Sequence, residues 1–193
     1  MKRICVFAGS NSGSHAGYIS ATQELGRALV QRHIGLVYGG ARVGLMGRLA
    51  DAVLSAGGHV TGVIPEALVA KEVAHTTLSD LRVVASMHAR KSLMADLSQG
   101  FIALPGGWGT LEEFFEVLTW GQLGLHQKPC GLLNVQGYFD RLLSFIDHGI
   151  EERFVRHENR SMVLVSRDVN ELLNLFDGYV PPHIDKWIDA QET

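Results

Sequence analysis

Residues 103–113 read ALPGGWGTLEE. The apolar run FIAL (101–104) leads into this stretch, and FFEVL (114–118) follows it. The leading run predicts a buried strand, while Phe114, Phe115 and Leu118 recur behind it at helical spacing. PGGWGT (105–110) is therefore a strand-to-helix turn carrying three glycines. The same arrangement recurs along the chain. ICVFA (4–8), GLVYG (35–39), HVTGVI (59–64), LRVV (81–84), GLLNV (131–135) and MVLVS (162–166) are further strand candidates. Helical patterns fall between them, as at Tyr18, Leu25 and Leu29, or Leu45, Leu49 and Val53. Strands that are almost wholly apolar and separated by helices indicate a parallel sheet covered on both faces. The expectation is an α/β, Rossmann-like, doubly wound sheet of about seven strands, in one nucleotide-binding domain over 1–178 with a C-terminal tail over 179–193. Ile184 and Trp187 are positioned to pin that tail.

The composition excludes several classes. Of 193 residues, 46% are apolar and 19% charged, as in ordinary globular proteins, and the net charge of −3 gives no general attraction to nucleic acid or membrane. No apolar stretch is long enough to span a bilayer. The opening MKRICVFAGS meets glycine and polar residues too soon for a signal peptide, so a cytoplasmic protein is expected. Cys5 and Cys130 sit in strand-like runs and read as buried, reduced thiols. The nine histidines show no ligand spacing, so no metal is expected.

In an open parallel sheet, ligands bind at the carboxyl ends of the strands. GSNSG (9–13), YGGARVGLMG (38–47) and PGGWGT (105–110) each follow a strand, so all three turns belong on one edge. Glycine lets backbone approach an anion, and the next helix offers unpaired N–H groups with the positive end of its dipole. The P-loop ending and the dinucleotide fingerprint are both missing, so a monophosphate fits better than a dinucleotide or triphosphate. Arg90, in the helix before the fifth strand, can clamp a phosphate or stabilise developing charge. Glu113 has two readings. It completes a T-x-x-E capping box with Thr110, or it is a carboxylate held beside a phosphosugar to act as glycoside-cleaving carboxylates do. Glu116 reads as a bystander on the helix surface.

PGGWGTLEE resembles the PGGxGTxxE signature of the Lonely Guy (LOG) family, the cytokinin riboside 5′-monophosphate phosphoribohydrolases. VFAGSNSG, LVYGGARVGLMG, VIPEAL, MHARKSLMADLSQGFIALPGGWGTLEEFFEVLTWGQLGLHQKPCGLLNV and GYFDRLLSFID extend the resemblance across residues 4–175. It implies a homodimer with the active site near the subunit interface. It also implies hydrolysis of the N-glycosidic bond of purine nucleoside 5′-monophosphates, cytokinin-type N6-substituted ones and AMP among them, to free base and ribose 5-phosphate, without a cofactor.

By position, the resemblance makes Arg90 and Glu113 the catalytic pair. It places Gly106, Gly107, Gly109 and Thr110 on the phosphate, with Trp108 and Leu111 in the same signature; Trp108 stands where the family often has Tyr or Phe. Met87, Lys91, Glu112 and Thr119 line the nucleotide, Glu72 lies near the sugar or base, and Ser10 and Gly40 border the pocket. Two other readings share these features: a non-catalytic monophosphate-binding or sensor module, and a general AMP salvage nucleosidase. The label lysine decarboxylase, often attached to such proteins, requires pyridoxal phosphate on a Schiff-base lysine. Of the five lysines, only Lys91 falls at the ligand edge.

Overall fold

The computed structural model describes residues 1–69, 74–78 and 80–182. Seven parallel strands form one sheet in the order β4-β3-β2-β1-β5-β6-β7. They are β1 (Arg3–Phe7), β2 (Gly35–Tyr38), β3 (Val60–Pro65), β4 (Asp80–Val84), β5 (Phe101–Ala103), β6 (Cys130–Leu133) and β7 (Val163–Ser166). Each expected strand is present, within a residue or two at its ends. β1 pairs with β2 at Cys5↔Val37 and with β5 at Cys5↔Phe101, so the strand order reverses at the β1/β5 junction. That junction is the topological switch point, where such sheets open a ligand crevice.

Alternation along β1 splits the core into two layers. Ile4 and Val6 face a cluster with Leu25 and Leu29 of α1 (Ala16–Gln31), Leu45 and Leu49 of α2 (Gly44–Ser55), and Leu172 and Phe176 of α7 (Val169–Asp177). Cys5 and Phe7 face the opposite layer, with Met94 of α4 (Met87–Asp96) and Phe114 and Val117 of α5 (Trp108–Gln122). Each fully buried side chain of this kind contributes roughly 1.5–3 kcal/mol, so the sheet is clamped from both faces. α6 (Asp140–Glu151) lies on the flank and buries no residue fully. The connection after β3 begins with the short helix α3 (Glu66–Val69) and returns through an Ala41–Ala74 bridge.

Ser86 caps α4, accepting the Ala89 N–H at 3.1 Å, and this fixes where Arg90 emerges. Ile184 and Trp187 lie outside the described residues. Among the described residues no helix is long and apolar enough to cross a membrane, and no group of three or more His, Cys, Asp or Glu is placed to hold a metal.

Candidate active site

The three glycine-rich turns meet at the switch point and bond to one another. Gly9 N–H donates to the Pro105 carbonyl at 3.1 Å, and Leu45 N–H donates to the Gly9 carbonyl at 3.0 Å. Gly106 is pressed between the Thr110 side chain and the Gly9 backbone, leaving no room for a Cβ. Gly44, with φ +58°, abuts the Ser10 backbone in the same way. These contacts enclose a crevice of about 240 Å³ lined by residues 9–13, 105–107, Tyr18, Leu45 and Tyr138. Ser10 is exposed on its rim, whereas Gly40 is buried and gives its carbonyl to His75 N–H at 2.8 Å.

α5 starts at Trp108 with Gly107 as its N-cap, and no side chain caps it. The first helical bond of this turn runs from Leu111 N–H to the Gly107 carbonyl at 3.2 Å. The amides of Trp108, Gly109 and Thr110 precede it and have no acceptor within the helix. The capping-box reading of Thr110 and Glu113 is therefore corrected. The helix begins earlier than a box on Thr110 requires, so Thr110 is already helical and Glu113 is an interior residue. A Cβ on Gly107 or Gly109 would meet nothing within 4 Å. Packing does not require these two glycines; they leave space in front of the free amides. Thr110 is buried, Leu111 half-buried, and Trp108 is 91% exposed at the helix start.

Glu113 points inward, about one helical turn or 5 Å along the axis from Thr110, and pairs with Arg90. The Arg90 Nη1 donates to Glu113 Oε1, and Nε donates to the Val63 carbonyl at 3.1 Å. Both residues are buried, at 7% and 9% exposure. Gly39 makes this possible: the Arg90 guanidinium occupies the space its Cβ would need. Burial pushes the Glu113 carboxyl up; the Arg90 charge and hydrogen bond pull it down, and it settles above the ordinary glutamate value. A raised carboxylate is a better proton acceptor near neutral pH than an ordinary one.

Lys91, the next residue, turns to the other side of α4. Its Nζ donates to Glu112 at 2.5 Å and to Glu116 at 2.8 Å. Glu116 is thus no bystander, because it holds the lysine from one turn further along α5. Met87 is exposed at the start of α4, on the ligand edge. Thr119 is exposed and spends its hydroxyl on the Phe115 carbonyl at 2.7 Å. It lies roughly 13 Å along α5 from Thr110, so this chain does not bring it to the crevice. Glu72 lies outside the described residues. One contact had no motif to announce it: the Tyr138 hydroxyl donates to the Gly106 carbonyl at 2.6 Å.

The lysines described do not suit pyridoxal phosphate. A Schiff-base lysine must give up its proton. Burial alone would lower the Lys91 ammonium, but the hydrogen bonds and charges of Glu112 and Glu116 hold it above the ordinary lysine value. Lys2 and Lys128 precede β1 and β6 and so sit at the opposite edge of the sheet, where Lys128 donates to the Ala95 carbonyl at 2.9 Å.

Residues 46–176 match a family described as "Possible lysine decarboxylase". The chain is 51% identical over 182 residues to cytokinin riboside 5′-monophosphate phosphoribohydrolase LOG1 of Arabidopsis thaliana, covering 94% of this chain and 85% of that one. To LOG3 of the same plant it is 50% identical, with 94% and 85% covered. Among solved structures, the molybdenum cofactor carrier protein of Chlamydomonas reinhardtii superposes with a TM-score of 0.68 at 21% identity, covering 92% of this chain and 96% of that one. The molybdenum cofactor binding protein of Rippkaea orientalis gives 0.69 at 22% identity, covering 92% and 97%. At that identity the likeness extends to the fold alone. Half the residues shared over nearly the whole chain carry more: this protein belongs to the LOG family, the group to which the decarboxylase description has also been attached.

Proposed function

We propose that this protein hydrolyses the N-glycosidic bond of purine nucleoside 5′-monophosphates. Cytokinin-type N6-substituted adenosine monophosphates are its main class, and AMP is a further substrate. The observation that carries the proposal is the buried Arg90–Glu113 pair set one turn inside a helix whose first amides have no acceptor among the described residues. The 5′-phosphate rests on the amides of residues 106–110, where the helix dipole favours it. That anchorage holds the ribose C1′ against Glu113. The C1′–N bond breaks with its electron pair going to the base, and positive charge grows on the ribose. The Glu113 carboxylate stabilises that charge and orients a water, whose oxygen bonds to C1′. The base leaves carrying a proton on a ring nitrogen, which balances the proton lost by the water. Arg90 keeps Glu113 ionised and aimed.

The same proposal makes the active protein a homodimer. The resemblance implies a homodimer with the active site near the interface, and a second subunit is then what would bring Thr119 to a nucleotide. It makes residues 1–178 the nucleotide-binding domain. It assigns the cytoplasm, in keeping with two free buried cysteines, Cys5 and Cys130. A shared fold does not decide turnover, so the test is base release. Purified protein is given AMP, isopentenyladenosine monophosphate and the two phosphate-free nucleosides. Release of base and ribose 5-phosphate from the monophosphates, with the nucleosides left intact, is the expected result. Tight nucleotide binding with no base released would make the protein a sensor instead.

A further inference from the structure

The phosphate cradle works only if the Gly106–Gly107 peptide faces the right way. In a trans peptide the carbonyl and the N–H point to opposite sides. The Pro105 carbonyl is committed to Gly9 N–H, which fixes the preceding unit. The Gly106 carbonyl is committed to the Tyr138 hydroxyl at 2.6 Å, so the Gly107 N–H points away from Tyr138. Packing of Gly106 against Thr110 and Gly9 and the bond from Leu111 N–H to the Gly107 carbonyl fix the ends of that unit, but its own carbonyl is held by Tyr138. Gly107 has no side chain, and a Cβ there would touch nothing within 4 Å. A peptide between two glycines rotates with little steric resistance. Turned over, it would present a carbonyl oxygen to the anion in place of a donor.

Tyr138 is itself firmly placed. Its ring meets Tyr18 edge-on at 5.8 Å and Phe139 at 5.0 Å. The loop that carries it follows β6 and so emerges at the ligand edge. Asn134 ties that loop, accepting from Phe139 N–H at 2.8 Å and donating to Asp140 at 2.6 Å. Arg167 holds Asp140 from the far side at 3.0 Å. Gly137 supplies the left-handed turn, φ +70°, that swings the tyrosine toward β5.

We infer that Tyr138 is a positioning residue of the phosphate cradle: its hydroxyl locks the Gly106–Gly107 peptide with the Gly107 N–H turned to the 5′-phosphate. The inference rests on the proposed function for the identity of the anion. It differs from a general stabilising role because its effect depends on the phosphate. Tyr138→Phe keeps the ring that walls the crevice and removes only the hydroxyl. The experiment measures kcat and KM on AMP, and titrates ribose 5-phosphate and inorganic phosphate by calorimetry. With Tyr138→Phe, KM for AMP and the dissociation constants of both phosphate probes are expected to rise together by about tenfold, the upper range for one neutral hydrogen bond. The expected kcat is that of the wild type.

An unchanged KM with unchanged probe affinities overturns the inference, and so does a fall in kcat with KM preserved. The titrations stand apart from turnover. If the wild type releases no base but ribose 5-phosphate binds it more tightly than the variant, the hydrolase reading fails and the positioning role survives. If the wild type binds neither probe, the cradle and the positioning role fall together.

Discussion

Arg90 and Lys91 are neighbours on α4, and Glu112 and Glu113 are neighbours on α5, yet the two pairs they form are opposites. Successive helical residues point about 100° apart, so one cation turns into the sheet edge and the other toward the partly exposed carboxylates of α5. Arg90 and Glu113 meet where their side chains are 8% and 11% exposed, with a backbone carbonyl as third partner. Lys91, itself 12% exposed, spans Glu112 and Glu116, whose side chains are 54% and 25% exposed, so here only the carboxylates reach solvent. The inner pair carries the cost of removing two charges from water, and that burial, outweighing the pull of Arg90, shifts the carboxyl upward. In the outer cluster two partly exposed carboxylates outweigh burial and hold the lysine charged. A buried pair of that cost is weak evidence for stability and better evidence for chemistry, so the inner pair is the one to attack first.

Glu113→Gln should lower kcat/KM for AMP by roughly 10²–10⁴-fold, the range for a positioned catalytic carboxylate. It should also lose stability, because the buried Arg90 charge is left without its counter-ion, at a cost of about 3–5 kcal/mol. Glu113 has a folded pKa above its unfolded value, so its titration favours folding at low pH and that contribution is lost as pH rises through the folded value. That contribution makes a neutral side chain less costly than burial of the pair suggests, but it only partly offsets the unpaired Arg90. Circular dichroism and base release on the same sample separate the two effects. Arg90→Lys is the next largest: an ammonium cannot serve the Val63 carbonyl and Glu113 with a planar fork, and a loss of roughly 10²-fold is expected.

The glycines sharpen the contrast between packing and function. Gly106→Ala forces a methyl onto Thr110 and the Gly9 backbone, at a cost of about 1–3 kcal/mol. It should lower Tm by several degrees. Gly109→Ala meets nothing within 4 Å and should leave Tm unchanged or raise stability by up to about 1 kcal/mol. It should nevertheless raise KM for monophosphates, because the methyl takes space in front of the free amides. Lys91→Met should be the mildest of these changes. It releases Glu112 and Glu116 to repel each other and should cost roughly 0.5–1 kcal/mol by chemical denaturation.

Much of this was legible in the residues. Strands buried on both faces are nearly continuous apolar runs, so FIAL, ICVFA and their counterparts stood out. Their glycine turns had to share an edge because the strands are parallel. What failed was local detail that depends on distant partners. Thr110-x-x-Glu113 has the composition of a cap, but nothing local distinguishes GWG as a loop from GWG as the first helical turn. Glu116 looked idle because its lysine comes from another helix, 25 residues away in sequence. Tyr138 lies in GYFDRLLSFID, one of the stretches that carry the resemblance, but its role was hidden because its partner is a backbone carbonyl 32 residues upstream.

The central claim is that Glu113 works as a buried anion whose basicity is set by burial against Arg90. Its most direct test is the pH profile of kcat for base release from AMP, with the residual activity of Glu113→Gln as control. The account predicts that kcat falls as pH is lowered, with a midpoint above the ordinary glutamate value of about 4.3, and that the variant lacks this limb. A limb at or below the ordinary value, or the same limb persisting in Glu113→Gln, would contradict it.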